Sequence, residues 1–210
     1  MKNLIILTLT VFTFLSCKAQ QPIIALYNGT DYLDTYNAYY KDIDGDLTKI
    51  VGTWKYVNGN EVFKLIIKKK EQKLLTPSGR NITFYKDVLY GEYEYIDLNG
   101  NEIINTLNEI DSQTDVSENS IYGGYIKGAS DNPPCENCEP DERIAKVLIE
   151  DPSRTYLFYN MSIRHFPGEI SLGTTEQIKI KIDREDYSDI PEGQPDNDRI
   201  PLVELTLEKQ

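Results

Sequence analysis

The chain has few of the residues on which most enzyme chemistry is built: one His, one Trp, two Met and three Cys in 210 residues. With His165 as the sole histidine, any Ser-His-Asp relay or metal-His mechanism must run through that one side chain. No Gly-x-Ser-x-Gly elbow, no His-Glu-x-x-His motif and no recognisable nucleophile accompanies it. The chain therefore reads as non-enzymatic, with no catalytic residue, no resident cofactor and no metal site assigned. Basic residues are also scarce, 22 Lys and Arg against 34 Asp and Glu, for a net charge of −12. An acidic surface repels phosphate backbones and anionic headgroups, which disfavours nucleic acid binding and electrostatic docking on membranes. The one dense basic run, Lys68-Lys69-Lys70, reads as a solvated strand end. Apolar runs long enough to span a bilayer, about 20 residues, are missing too.

The longest apolar run, Leu4 to Leu15, follows the basic Lys2 and ends in Leu15-Ser16-Cys17. A basic start, an apolar stretch of this length and a small residue before the cut describe a signal peptide over residues 1–16. The ending resembles the bacterial lipobox, with Phe14 where Leu is commoner. That resemblance implies a lipidated Cys17 and a membrane partner reached through the anchor. Several acyl chains hold stably where one holds marginally. Residues 17–26 are then the lipidated cysteine and tether, and 27–210 a single β domain. Lys18, in place of the Asp associated with inner-membrane retention, favours an outer-membrane lipoprotein of the cell envelope. The lack of acids in Lys18-Ala19-Gln20-Gln21 favours the periplasmic face.

Between Tyr27 and Ile50 the chain is aromatic and Asp-rich. Tyr32, Tyr36, Tyr39 and Tyr40 recur at helical spacing, with Asp31 as a cap, so a short helix or an irregular segment on a barrel end fits. After Ile50 the period becomes two. Phe63, Leu65 and Ile67 share one face while Lys64 and Lys68 take the other, which predicts a half-buried strand. Asn58-Gly59 predicts a tight turn joining it to Trp54–Val57, a hairpin over residues 50–69. Asn99-Gly100 predicts a second turn, between Tyr90–Ile96 and Glu102–Leu107. Further strands are expected at 81–85, 121–127, 143–150, 154–165, 175–183 and 201–208. The cleanest alternation is Ile178, Ile180 and Ile182 against Lys179 and Lys181, and Val203, Leu205 and Leu207 against Glu204 and Glu208. Residues 128–142 and 184–200 are long loops inside the domain, since similar strands resume after each. The fold class is all-β: an antiparallel barrel or sandwich of about eight to ten strands with a short N-terminal lead-in.

Gly52-Thr53-Trp54, at the opening of the β region and holding the only Trp, resembles the start of the lipocalin and calycin barrels. The resemblance implies a lipocalin-like barrel in which Gly52 permits tight entry and Trp54 plugs the closed end. It also implies a basic residue from the last strand region over the Trp, for which Arg199 is the candidate, although it precedes the final strand. With its signal, Tyr-rich lead-in, Val51-Gly52-Thr53-Trp54, Cys-x-x-Cys loop and Pro191-Glu192-Gly193, the whole chain is similar to a group of Bacteroidota lipoproteins. That likeness implies no activity.

Cys135-Glu136-Asn137-Cys138 holds the two thiols left once Cys17 is lipidated. An oxidising envelope would pair Cys135 with Cys138 as a disulfide pinning a Pro-rich loop. A redox role would need a field that depresses a thiol pKa, and Glu136, Glu139, Asp141 and Glu142 supply the opposite one. Asp42, Asp44 and Asp46 alternate as in a calcium loop, but Leu47 and Thr53 stand where an EF-hand needs Gly and Glu. The bland reading is an acidic turn. Fifteen tyrosines suit strands and could also face a ligand. Tyr93 and Tyr95 share a face that could line a barrel interior. The expected function is binding of a small apolar or amphipathic ligand in a preformed barrel. The competing reading is a structural or adaptor module with a filled barrel and an unknown protein partner.

Overall fold

The strands with a clean period of two all turn their apolar faces to one interior, and they close around it. The computed structural model describes residues 21–27, 34–132, 134–135, 137–169, 171, 173–186 and 190–210. The expected signal segment, Cys17, Asp31 and Tyr32 lie outside the described residues. Eleven strands are present among the described residues: β1 (Ile23–Ala25), β2 (Tyr39–Lys41), β3 (Gly52–Asn58), β4 (Glu61–Leu75), β5 (Phe84–Ile96), β6 (Glu102–Asn105), β7 (Ile121–Gly128), β8 (Arg143–Ile149), β9 (Tyr159–Phe166), β10 (Gln177–Arg184) and β11 (Glu204–Lys209). Eight of them run β3-β4-β5-β7-β8-β9-β10-β11, each antiparallel to the next, and β11 pairs back onto β3. This is a closed up-and-down barrel, which leaves the ring without a free edge.

Local chemistry sets the register. Asn58 pairs with Glu61, so the tight turn is Gly59-Asn60, one residue later than the expected Asn58-Gly59, with Gly59 at φ 61°. The expected strands at 81–85 and 90–96 are one strand, β5, which pairs with β4 across a bulge between Lys70 and Lys73. A Cβ on Gly91 would fall 2.4 Å from the Ile66 carbonyl oxygen, so only glycine lets β5 approach β4 this closely. The second turn forms as expected, with Asp97 accepting the backbone N–H groups of Asn99 and Asn101.

Of the alternatives for the lead-in, the irregular one holds among the described residues: Asp34–Asn37 form turns. Ile23–Ala25, expected as tether, is already a strand, parallel to β2, and β2 is parallel to β5. Buried Asp87 ties this addition down by accepting the Tyr39 hydroxyl at 2.6 Å, Asp42 N–H at 3.0 Å and Gln72 N–H at 3.1 Å.

Every barrel strand contributes to the interior: Trp54, Phe63, Leu65, Leu89, Tyr93, Ile121, Val147, Met161, Ile163, Ile178, Ile180, Leu205 and Leu207 form one cluster, none more than 4% exposed. An eight-stranded barrel is just wide enough for side chains to fill it, and each such large apolar group contributes about 2 kcal/mol by leaving water.

Candidate functional site

Tyr93 and Tyr95 face inward, as expected, but their surfaces are met by protein. Tyr93 stacks on Phe63 with centroids 5.7 Å apart and donates its hydroxyl to the Glu150 carbonyl at 2.8 Å. Tyr95, directly across from Phe63 in the β4–β5 pair, has its ring 5.9 Å from that of Phe63 and donates to Glu61 at 3.2 Å. Both rings pack on Phe63, Tyr93 within the buried cluster and Tyr95, partly buried, against it.

One end of the barrel is closed by Trp54, fully buried, whose indole N–H donates to the Ile50 carbonyl at 2.8 Å. The cation over its ring is Lys209, in the last strand, with Nζ 5.2 Å from the centroid. Arg199, the expected partner, is elsewhere: it pairs with buried Asp151 at 3.1 Å and donates to the Ile103 carbonyl. Asp151 follows β8 near Tyr159, at the start of β9, whereas Trp54 packs on His165 near its end. Six residues of strand, about 20 Å, separate the two levels. Lys209 takes the position because β11 extends to pair Lys209 with Trp54, while Arg199 sits in the loop before β11. Gly52 has φ 151°, and a Cβ there would meet Lys209 Cε at 3.3 Å, so the expected glycine requirement has a physical cause.

The feature that stands out against an acidic surface lies outside the barrel. On the outer faces of β7 to β11, Lys127, Lys146, Arg164, Lys179 and Lys181 line a cavity of about 540 Å³, and among the described residues Asp183 and Glu204 are its carboxylates. Cross-strand pairing builds it: Lys146, Ser162, Lys181 and Glu204 sit in one row across β8, β9, β10 and β11. Lys127 opposes Ile144, which places it diagonal to Lys146 on the same face. The 129–142 loop folds over this wall and contributes Pro134, Cys135 and Asn137. Its attachment is specific. Cys135 and Cys138 form the expected disulfide, Cys135 N–H donates to the Ala129 carbonyl, and Arg164 binds Glu142 through Nε at 2.6 Å and Nη2 at 2.8 Å. Arg164 also donates to the Asn137 carbonyl at 2.8 Å.

The cations of this wall differ in their surroundings. Arg164 is satisfied by Glu142, and its guanidinium holds the Glu142 carboxyl below the usual range. Lys181 pairs with Asp183 at 2.8 Å, and Lys179 lies 3.8 Å from Glu204 and over the Phe166 ring. Lys146 makes no ion pair or hydrogen bond among the described residues. Lys127 is buried, and burial together with the positive charge of Lys146 pulls its ammonium below the usual lysine range, with Asp131 partly opposing.

Over residues 1–210 the chain matches the model of DUF6705, described as a family of unknown function. The chain belongs to that family. No curated protein and no solved structure matches it.

In this family member the other expected sites resolve into structural contacts. Asp42 accepts the N–H groups of Leu47 and Thr48 and the Thr48 hydroxyl, while Asp44 and Asp46 both hold Arg143 Nη1 at 2.8 Å. Among the described residues no three His, Cys, Asp or Glu side chains converge to hold a metal ion. His165 Nε2 lies 2.8 Å from Glu176 Oε1, and the same carboxylate holds Lys209 Nζ at 2.9 and 2.8 Å. The sole histidine therefore belongs to the network that closes the Trp54 end.

Sequence reasoning noted Lys179 and Lys181 only as the polar side of a strand and passed over Lys127, Lys146, Ser162 and Arg164. A usable signal existed: cations recur at outward strand positions on both sides of the Cys-x-x-Cys loop in a chain where they are otherwise outnumbered.

Proposed function

We propose that this protein is a lipid-anchored adaptor of the cell envelope, held at the outer membrane through Cys17 and facing the periplasm, that works through the outer wall of a filled barrel. The observation that carries this reading is the interior itself: side chains from all eight strands meet in one buried cluster, in which Phe63 of β4 stacks on Tyr93 of the neighbouring β5. That packing supports the adaptor reading over binding of an apolar ligand in the lumen. Binding function then falls to the walls and loops, where the disulfide-pinned 129–142 segment presents a shaped surface. The anchoring half rests on the Lys2 to Cys17 pattern. No helix among the described residues is long and apolar enough to cross a membrane.

Two experiments test the two halves. Membrane fractionation should find the wild-type chain with the outer membrane and Cys17→Ala in the soluble fraction; a variant that stays membrane-bound contradicts the anchor. Organic extraction of the purified protein should yield the lipid of the anchor and no stoichiometric apolar passenger; a passenger returns the function to the lumen.

A further inference from the structure

The cleft between the barrel wall and the disulfide-pinned loop is chemically at odds with the rest of the molecule. Five cations among the described residues line it in a chain of net charge −12, and two of them, Lys127 and Lys146, are diagonal neighbours across β7 and β8, with the Asp131 carboxylate acting on Lys127. A solvated basic patch would let such side chains spread apart. Here Lys127 is buried and residues of the loop line the recess together with the wall. Ammonium groups on neighbouring positions of one recess attract an anion placed between them.

We propose that this cleft is a binding site for a small, soluble, multiply charged oxyanion of the phosphate or pyrophosphate type, held between Lys127 and Lys146 with the Ser162 hydroxyl beside them. The inference rests on the outer wall being the working face and names what that face binds.

The chemistry favours this class for three reasons. Lys146 has no partner among the described residues, so its ammonium donors are available. Ser162 stands directly opposite Lys146 and Lys181 in the cross-strand row, adding a hydroxyl donor between two ammonium positions. Lysines act as compact point charges, which suits tetrahedral oxyanions better than the planar bidentate recognition that arginine gives. Arg164, the one guanidinium present, is committed to Glu142 and to the roof. A volume of about 540 Å³ leaves room for a small body attached to the anion, lying along Ile144 and beneath Pro134. Polyanions and anionic bilayers fit poorly, since the acidic remainder of the surface opposes them.

Isothermal titration of the full chain with inorganic pyrophosphate at low ionic strength tests the site. Saturable one-to-one binding in the millimolar range or tighter is expected, weakening as salt is raised. Lys146→Gln should lose about tenfold or more in affinity, as expected for removing a charged donor. Lys55→Gln, a surface lysine outside the cleft, should leave affinity unchanged. Equal thermal unfolding of both variants and wild type shows that the loss in Lys146→Gln is not a folding defect. No saturable heat at about 10 mM pyrophosphate, or equal binding by Lys146→Gln, overturns the proposal. Flotation of the Cys17→Ala chain, which lacks the anchor, with vesicles containing phosphatidylglycerol provides the second arm: vesicle binding that Lys146→Gln abolishes overturns the soluble-anion reading in favour of a lipid headgroup, and no flotation, or flotation that Lys146→Gln leaves unchanged, supports it. An apolar passenger found in the lumen would instead overturn the outer-wall reading while leaving the titration result intact.

Discussion

Lys209 lies over the indole of Trp54, its ammonium 5.2 Å from the ring centroid and bound to Glu176 at 2.8 Å. The last strand thus reaches back to cover the aromatic that opens the first barrel strand, and Glu176 joins both to His165. Glu176 is pulled in two directions: burial raises its carboxyl, and the donors on Lys209 and His165 outweigh that and hold it below its ordinary value. Barrel closure at this end is therefore both apolar and electrostatic.

Truncating the two members of this pair should separate those contributions. Lys209→Ala should cost about 1 kcal/mol, the size of a partly exposed cation–π contact. Trp54→Ala should cost about 3 kcal/mol or more, because it removes a fully buried aromatic and leaves a cavity. Urea unfolding followed by circular dichroism measures both, and Trp54 emission, as the only indole, reports the Lys209→Ala change locally. Equal losses for the two variants would contradict this division.

At the opposite end, Asp151 is fully buried and depends on Arg199 and on the Ser153 N–H. Arg199→Ala should destabilise by about 3 kcal/mol, chiefly by leaving a buried carboxylate uncompensated. Arg199→Ala combined with Asp151→Asn should recover part of that loss. A double-mutant cycle by chemical denaturation gives the coupling, and strictly additive losses would contradict it.

Glu92 predicts a pH effect of defined sign. It points outward from β5, yet the segment from Thr106 to Ser120 buries it; Oε1 accepts Ser120 N–H at 3.2 Å and Oε2 has no hydrogen-bond partner among the described residues. Burial pushes its carboxyl above the ordinary 4.5, with donors on Thr106 and Ser120 partly opposing. The folded state then keeps a proton that the unfolded state releases, so stability falls as pH rises from about 4.5 through the folded value and levels off above it. Glu92→Gln removes that slope. It should match wild type in acid and exceed it in stability at neutral pH in thermal unfolding. A variant less stable at neutral pH than in acid, relative to wild type, contradicts the assignment.

The disulfide closes a very short loop, so its loss should cost no more than about 2 kcal/mol. Replacing Cys135 and Cys138 by Ser should act mainly on the loop. Hydrogen exchange should rise over residues 129–142 and leave β8 and β9 protected. A global loss of protection would contradict a local role.

Much of the barrel was readable because period-two alternation is a local signal: Ile178, Ile180 and Ile182 declare an inward face without knowledge of their neighbours. The errors fell where pairing decides. The turn moved to Gly59-Asn60 because Asn58 pairs with Glu61, and β5 runs unbroken through residues 86–89 because Val88 and Leu89 pair with Lys70 and Lys69. Arg199 was the nearest cation before the last expected strand, but only the β11–β3 register reveals that Lys209 reaches Trp54. The cleft was hidden for the same reason. Its lysines come from three strands, and each strand alone is indistinguishable from an amphipathic strand with a solvated side.

The central claim is that the lumen is filled and the outer wall works. Native mass spectrometry of the full chain, released in mild detergent and offered a mixture of fatty acids, tests it most directly. The account predicts no apolar adduct on the wild-type protein. A stoichiometric fatty acid adduct, weakened by enlarging a lumen residue such as Leu65→Trp, would contradict it.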